Sequence, residues 1–160
     1  MNTLNAASMS LDSGLGMRSG RPMRVLVADD EETVRDLMAR VLTNGECEVV
    51  TVRDGAEAVE VESEGGEPFD VVILDMVMPR KNGVEAYREI ARHNAASRFV
   101  FTSAYYESGL LNEVLSEGRS LFLPKPFLPG CILEEMQNLV EGEAPEPAPA
   151  PSRSLPILFE

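Results

Sequence analysis

Apolar residues along this chain follow two alternating rhythms. Short, nearly continuous runs give way to longer stretches in which apolar positions recur three and four residues apart. The runs at 24–28, 48–52, 69–74, 98–102 and 120–123 predict five strands, and the stretch 69–74 is apolar enough for a central parallel strand covered on both faces. The stretch 31–42 carries Val34, Leu37, Met38, Val41 and Leu42 at helical spacing, with Asp30 positioned as its cap. Helices are likewise predicted over 56–64, 83–93, 110–117 and 132–140. Asp54-Gly55 and Gly65-Gly66-Glu67-Pro68 punctuate the pattern as turns. Five strands alternating with five helices through short loops predict an α/β fold, a doubly wound five-stranded parallel sheet. Ligands of such a fold bind beyond the carboxyl ends of the strands, where the strand order reverses.

The ends of the chain lack this rhythm. Residues 1–22 have no sustained period and are expected to form a disordered leader to a domain over 23–141. Residues 142–160 begin with a run of Pro, Ala and Glu expected to be an extended, solvated tail. Leu155-Pro156-Ile157-Leu158-Phe159 then forms a short apolar patch, which either docks on a partner or on the domain itself, or frays. A length of 160 residues accommodates one such domain with tails.

Charge and composition remove several function classes. Asp and Glu outnumber Lys and Arg by 27 to 14, a net charge of −13, and no basic cluster is present to attract nucleic acid. No apolar run approaches the roughly 20 residues of a membrane-spanning helix, and the start lacks the pattern of a secretory signal. The two cysteines, Cys47 and Cys131, suit a reducing, cytoplasmic setting better than a disulfide scaffold or a zinc site.

The polar residues at the strand ends carry the chemistry. Asp29 and Asp30 follow the first strand, Asp75 the third, Thr102-Ser103-Ala104 closes the fourth, and Lys125 follows the fifth between two prolines. Three carboxylates in one crevice are costly unless a cation joins them, and a hard divalent ion such as Mg²⁺ suits oxygen ligands. Taken singly, each residue has a plainer reading. Asp30 is then a helix cap, Asp29 a loop residue, Ser103 a loop or cap serine, and Lys125 an offset to the acids. Lys125 equally suits a phosphoryl group gained by a facing aspartate. His93, the single histidine, reads as a surface residue, Met76 and Met78 as packing around the acidic loop, and Arg80-Lys81 as local positive charge.

In combination, Asp29-Asp30, Asp75 with Met78-Pro79 and Asn82-Gly83, Ser103-Ala104, and Lys125-Pro126-Phe127 resemble the signature of the response-regulator receiver family, over residues 23–140. The resemblance implies that Asp75 is the phospho-acceptor. It further implies Mg²⁺ held by Asp29, Asp30, Asp75 and the backbone carbonyl of Val77, a switch hydroxyl at Ser103, a cationic partner at Lys125, and an aromatic switch position at Phe122. Such a protein takes its phosphoryl group from a phosphohistidine on a histidine kinase or a histidine phosphotransfer domain. It catalyses its own phosphorylation and slow autodephosphorylation rather than multiple metabolic turnovers, and the phosphoryl group alters binding to a downstream protein target. A homodimer through the fourth- and fifth-helix face is left open. In the family, the positions two beyond the acceptor and two beyond the switch hydroxyl govern the access of water. Here they are Val77 and Tyr105, which implies slow hydrolysis. Residues 77–79, 101–103 and 122–127 are similar to receivers attached to hybrid sensor kinases.

Two other readings compete. A receiver that is never phosphorylated would serve as a protein-binding module. A phosphatase resembling the haloacid dehalogenase family would carry a second aspartate two residues past its nucleophile, and Val77 at that position disfavours it.

Overall fold

Strands form at β1 (Met17–Arg18), β2 (Arg21–Pro22), β3 (Arg24–Ala28), β4 (Glu48–Val52), β5 (Val71–Asp75), β6 (Arg98–Ser103) and β7 (Ser120–Pro124). Helices span α1 (Glu32–Asn44), α2 (Gly55–Ser63), α3 (Gly83–His93), α4 (Gly109–Ser116) and α5 (Pro129–Glu141). The structure is a computed structural model that describes residues 17–18, 20–104 and 109–141. Five strands lie parallel in the spatial order β4-β3-β5-β6-β7, and each successive pair is joined through a helix. After β3 the chain moves outward to β4 and then crosses to β5 on the other side of β3. The order therefore reverses between β3 and β5, which opens a crevice at their carboxyl ends.

Strand side chains alternate between two apolar layers. Leu26, Val72, Leu74, Phe99 and Phe101 meet α2, α3 and α4 through Ala58, Val84, Tyr87, Ile90 and Leu111. Val25, Val27, Ile73 and Val100 meet α1 and α5 through Met38, Leu42, Ile132 and Met136. Every residue of β5 is buried, because this strand is central and covered on both faces. Tyr87 meets Phe99 edge-on with centroids 4.7 Å apart and Phe101 at 5.6 Å. Such pairs add about 0.5–1.5 kcal/mol each beyond burial. Among the described residues, no helix is long and apolar enough to cross a membrane.

Two local differences from expectation have clear causes. The first helix begins one residue later, with Glu31 at its N-cap position and no side-chain cap bond. Asp30 is therefore not the cap. The amide of Glu31 instead donates to Asp29 Oδ1 at 2.9 Å, a loop-type bond that satisfies the entry to the helix. The third strand covers Val71–Asp75 rather than 69–74, and Asp70 turns into a different role.

Asp70 lies 4% exposed at the amino end of the sheet. Its carboxylate accepts two bonds from the Arg21 guanidinium at 2.9 and 3.0 Å, one from Arg18 at 2.9 Å, and one from the Arg24 amide at 2.9 Å. Arg18 and Arg21 belong to the β1-β2 hairpin, so ordered contacts extend to the amino-terminal side of the expected boundary at residue 23. The remainder of the leader and all of 142–160 lie outside the described residues.

Burial raises the Asp70 carboxyl, and the Arg21 hydrogen bond, the Arg24 amide and the arginine charges more than offset it, holding it below the usual range. A depressed carboxylate stabilises the fold above its unfolded value of about 3.9, and that contribution fades as pH falls through the folded value. Asp70→Ala is expected to lose about 1–3 kcal/mol in urea unfolding at pH 7. The gap to the unsubstituted protein narrows in acid as pH falls below the unfolded value of about 3.9, and a gap independent of pH would contradict the ion-pair account.

Candidate functional site

Three strands deliver the acidic crevice. Asp29 follows β3, Asp75 is the last residue of β5, and Lys125 follows β7. Lys125 Nζ donates to Asp29 Oδ2 at 2.8 Å and to Asp75 Oδ2 at 3.3 Å, reaching across the end of β6 to do so. Asp29 is 1% and Asp75 6% exposed, while Asp30 is open to solvent. Carboxylate oxygens of Asp29, Asp30 and Asp75 all lie within 4.8 Å of one another.

The backbone fixes this arrangement as much as the side chains do. Asp29 Oδ1 accepts from the Glu31 amide, and the Asp29 carbonyl accepts from Arg35 at 2.8 Å. Asp75 Oδ1 accepts from the Val77 amide at 3.2 Å, and the Met76 amide donates to the Thr102 carbonyl at 2.9 Å. The Lys125 amide donates to the Ser103 carbonyl at 2.8 Å, so the β7 exit is tied to the end of β6. The Lys125–Pro126 peptide is cis.

Electrostatics follow from burial and pairing. Burial is the largest influence on Asp75 and raises its carboxyl above the ordinary value; Asp29 adds to the rise, while Lys125 and the Val77 amide oppose it. Burial acts to lower Lys125, but the hydrogen bond to Asp29 and the charges of Asp75 and Asp29 outweigh that and leave the ammonium above its usual value. Lys125 contacts two carboxylates while a third stands beside them, so an excess of negative charge remains. An all-oxygen donor set with surplus negative charge fits a hard divalent cation better than a soft transition metal.

Of the residues singled out in the sequence, Asp29, Asp30, Asp75 and Lys125 converge directly. Val77 is 68% exposed, and its amide donates to Asp75 in the loop after β5. Ser103, 3% exposed, ends β6 one residue past Thr102, which stands in register with Asp75. Phe122 lies half-buried on β7 in register with Phe101 and packs against the α2–α4 layer. Met78 is buried in that layer, and Met76 packs against it. His93 is exposed at the end of α3, ahead of the start of β6 and therefore at the opposite end of the sheet. Tyr105 lies outside the described residues.

Several supporting residues escaped the sequence reading. Arg80 is not free positive charge: its guanidinium pairs with Asp54 at 2.8 Å, and Lys81 pairs with Glu89. Asp54 also caps α2 by accepting from the Glu57 amide at 2.9 Å, so one carboxylate holds both a helix start and, through Arg80, the loop after β5. Asn82 and Glu85 form a reciprocal capping box at the start of α3. Its signal, an Asn three residues before a Glu, stands plainly in the sequence. Gly83 is required by proximity, since a Cβ there would lie 2.6 Å from the Asp75 carbonyl oxygen.

Comparison with known proteins gives a consistent picture. Residues 25–137 match the family model described as the response regulator receiver domain. The chain is 31% identical over 117 residues to the chemotaxis protein CheY of Thermotoga maritima, covering 72% of this chain and 96% of that protein. It is 34% identical over 119 residues to the sensor kinase CckA of Brucella abortus, covering 74% of this chain but only 13% of the kinase. Among solved structures, the CheX-CheY-BeF3-Mg+2 complex from Borrelia burgdorferi aligns with a TM-score of 0.70 at 25% identity, covering 78% of this chain and 95% of that one.

Gly83→Ala is expected to force the loop after β5 away from the start of α3 and to destabilise the protein by about 1–3 kcal/mol in urea unfolding. Unchanged stability together with an unmoved Val77 amide resonance would contradict the close approach described here.

Proposed function

This chain belongs to the response regulator receiver family, and from that premise we propose that it is a phosphorylation-dependent signalling switch with Asp75 as its phospho-acceptor. The observation that carries the reading is the Lys125 ammonium held 2.8 Å from Asp29 and 3.3 Å from Asp75 in a buried, acid-rich crevice. A histidine kinase or a histidine phosphotransfer domain supplies the phosphoryl group. An oxygen of the Asp75 carboxylate attacks phosphorus and forms a P–O bond. The P–N bond of the phosphohistidine breaks, and its electron pair returns to the imidazole, leaving an acyl phosphate on Asp75.

Burial makes the Asp75 carboxylate more basic and so a better nucleophile, while the Lys125 charge opposes its protonation. Once the phosphoryl group is attached, Lys125 and the Val77 amide stand beside the new charge as donors fixed in advance. Receivers typically use Mg²⁺ at this position. Asp29, Asp30, Asp75 and the Val77 carbonyl are the residues that would hold it. When bound, the ion neutralises charge on the phosphoryl oxygens.

The readout is a change of surface. Ser103 moves toward the phosphoryl group, and Phe122 on the neighbouring strand turns into the space released, altering the face of α4, β7 and α5 presented to a downstream protein. Val77, apolar and exposed beside the acceptor, offers no group to activate water, which supports slow hydrolysis. Neither Cys47 nor Cys131 is part of a disulfide, as suits a cytoplasmic protein.

Incubation with acetyl phosphate and Mg²⁺ is expected to add one acid-labile phosphoryl group by intact-mass measurement. The adduct should be absent in Asp75→Asn and when the ion is chelated. An unmodified wild-type protein under these conditions would sink the acceptor reading and favour a binding module that is never phosphorylated.

A further inference from the structure

Beside the acidic crevice, α1 and the start of α5 enclose a cleft of about 400 Å³ lined by Val34, Leu37, Val41, Phe127 and Ile132. Its walls are aliphatic and aromatic, and Leu37 remains 46% exposed there. The volume lies within the range of about 300–1,000 Å³ typical of ligand sites. We propose that this cleft is the docking site of the chain's own segment 155–159, Leu155-Pro156-Ile157-Leu158-Phe159.

Composition and reach support this occupant. The segment is the one wholly apolar stretch that follows α5, and it is separated from the helix by thirteen residues, 142–154, rich in Pro, Ala and Glu. Ile132 lies nine residues before the end of α5 at Glu141, a rise of about 14 Å along the helix. Thirteen residues in polyproline form extend about 40 Å, and as a coil they average about 20 Å. The coil length suits the return to the cleft, whereas a fully extended rod would overshoot it. Gly142, directly after α5, is the residue type that most readily reverses the chain at a helix end.

Tethering makes even a weak contact effective. A linker of this length gives an effective concentration of about 1 mM, so a segment with an affinity of about 0.1 mM would be roughly nine-tenths docked. Ala104 and Lys125 also line the cleft. The docking does not depend on the acceptor reading.

Methyl and amide NMR of the full chain, without phosphorylation, tests the docking separately from the chemistry at Asp75. In the unsubstituted protein the Ile157 methyl signals are expected away from random-coil positions, returning to them in Leu37→Asp, a change at a partly exposed site. Reciprocally, the double substitution Ile157→Asp with Phe159→Asp is expected to shift the signals of Leu37, Val41 and Ile132 while leaving α3 unmoved. Random-coil Ile157 signals in the unsubstituted protein, or signals indifferent to Leu37→Asp, would overturn the proposal. Shifts that grow with protein concentration would put the segment on a second molecule and overturn it equally.

Discussion

Two carboxylates, Asp29 and Asp75, are buried side by side at the carboxyl end of the sheet, and the ammonium of Lys125 is what makes their proximity tolerable. Like charges so close would otherwise drive one carboxyl to protonate. The lysine comes from a strand two positions from β5 in the sheet, so the ion triad ties β3, β5 and β7 together at one end. Buried ion pairs of this kind contribute less to net stability than to holding a specific geometry, because desolvation offsets much of the attraction. What the triad secures is a buried carboxylate in a fixed place, next to fixed donors, with negative charge to spare for a cation.

The fold supplies that geometry through its strand order. Reversal between β3 and β5 leaves their carboxyl ends uncovered by any crossover, which is where Asp29 and Asp75 stand. The loop after Asp75 is then held from several sides. Arg80 is anchored on Asp54, Asn82 and Glu85 lock the start of α3, and Gly83 lets that helix approach the Asp75 backbone. Ser103 and Phe122 stand on the neighbouring strands β6 and β7, where Thr102 is in register with Asp75 and Phe101 with Phe122.

Sequence periodicity was sufficient for the alternating order of the sheet and for β3, β4 and α3 residue by residue, because strong apolar runs and punctuating turns bound those elements. It also placed the four residues that converge in the crevice at strand ends, and their combination singled them out although each alone had a plainer structural reading. What it missed depends on tertiary pairing. Asp30 satisfied every local criterion for a cap, but the bond went to Asp29, whose side chain reaches the Glu31 amide. Arg18 and Arg21 looked like part of an unstructured leader because their partner, Asp70, lies 49 or more residues away. Arg80 read as free charge for the same reason, its partner Asp54 lying 26 residues back along the chain.

In the proposed function Asp75, and no neighbouring acid, carries the phosphoryl group. Borohydride reduces an aspartyl phosphate to homoserine, and tandem mass spectrometry then reads the position of the altered residue. After treatment with acetyl phosphate and Mg²⁺, the account predicts homoserine at position 75 and none in protein that has not been phosphorylated. Homoserine at position 29 or 30, with Asp75 intact, would contradict it.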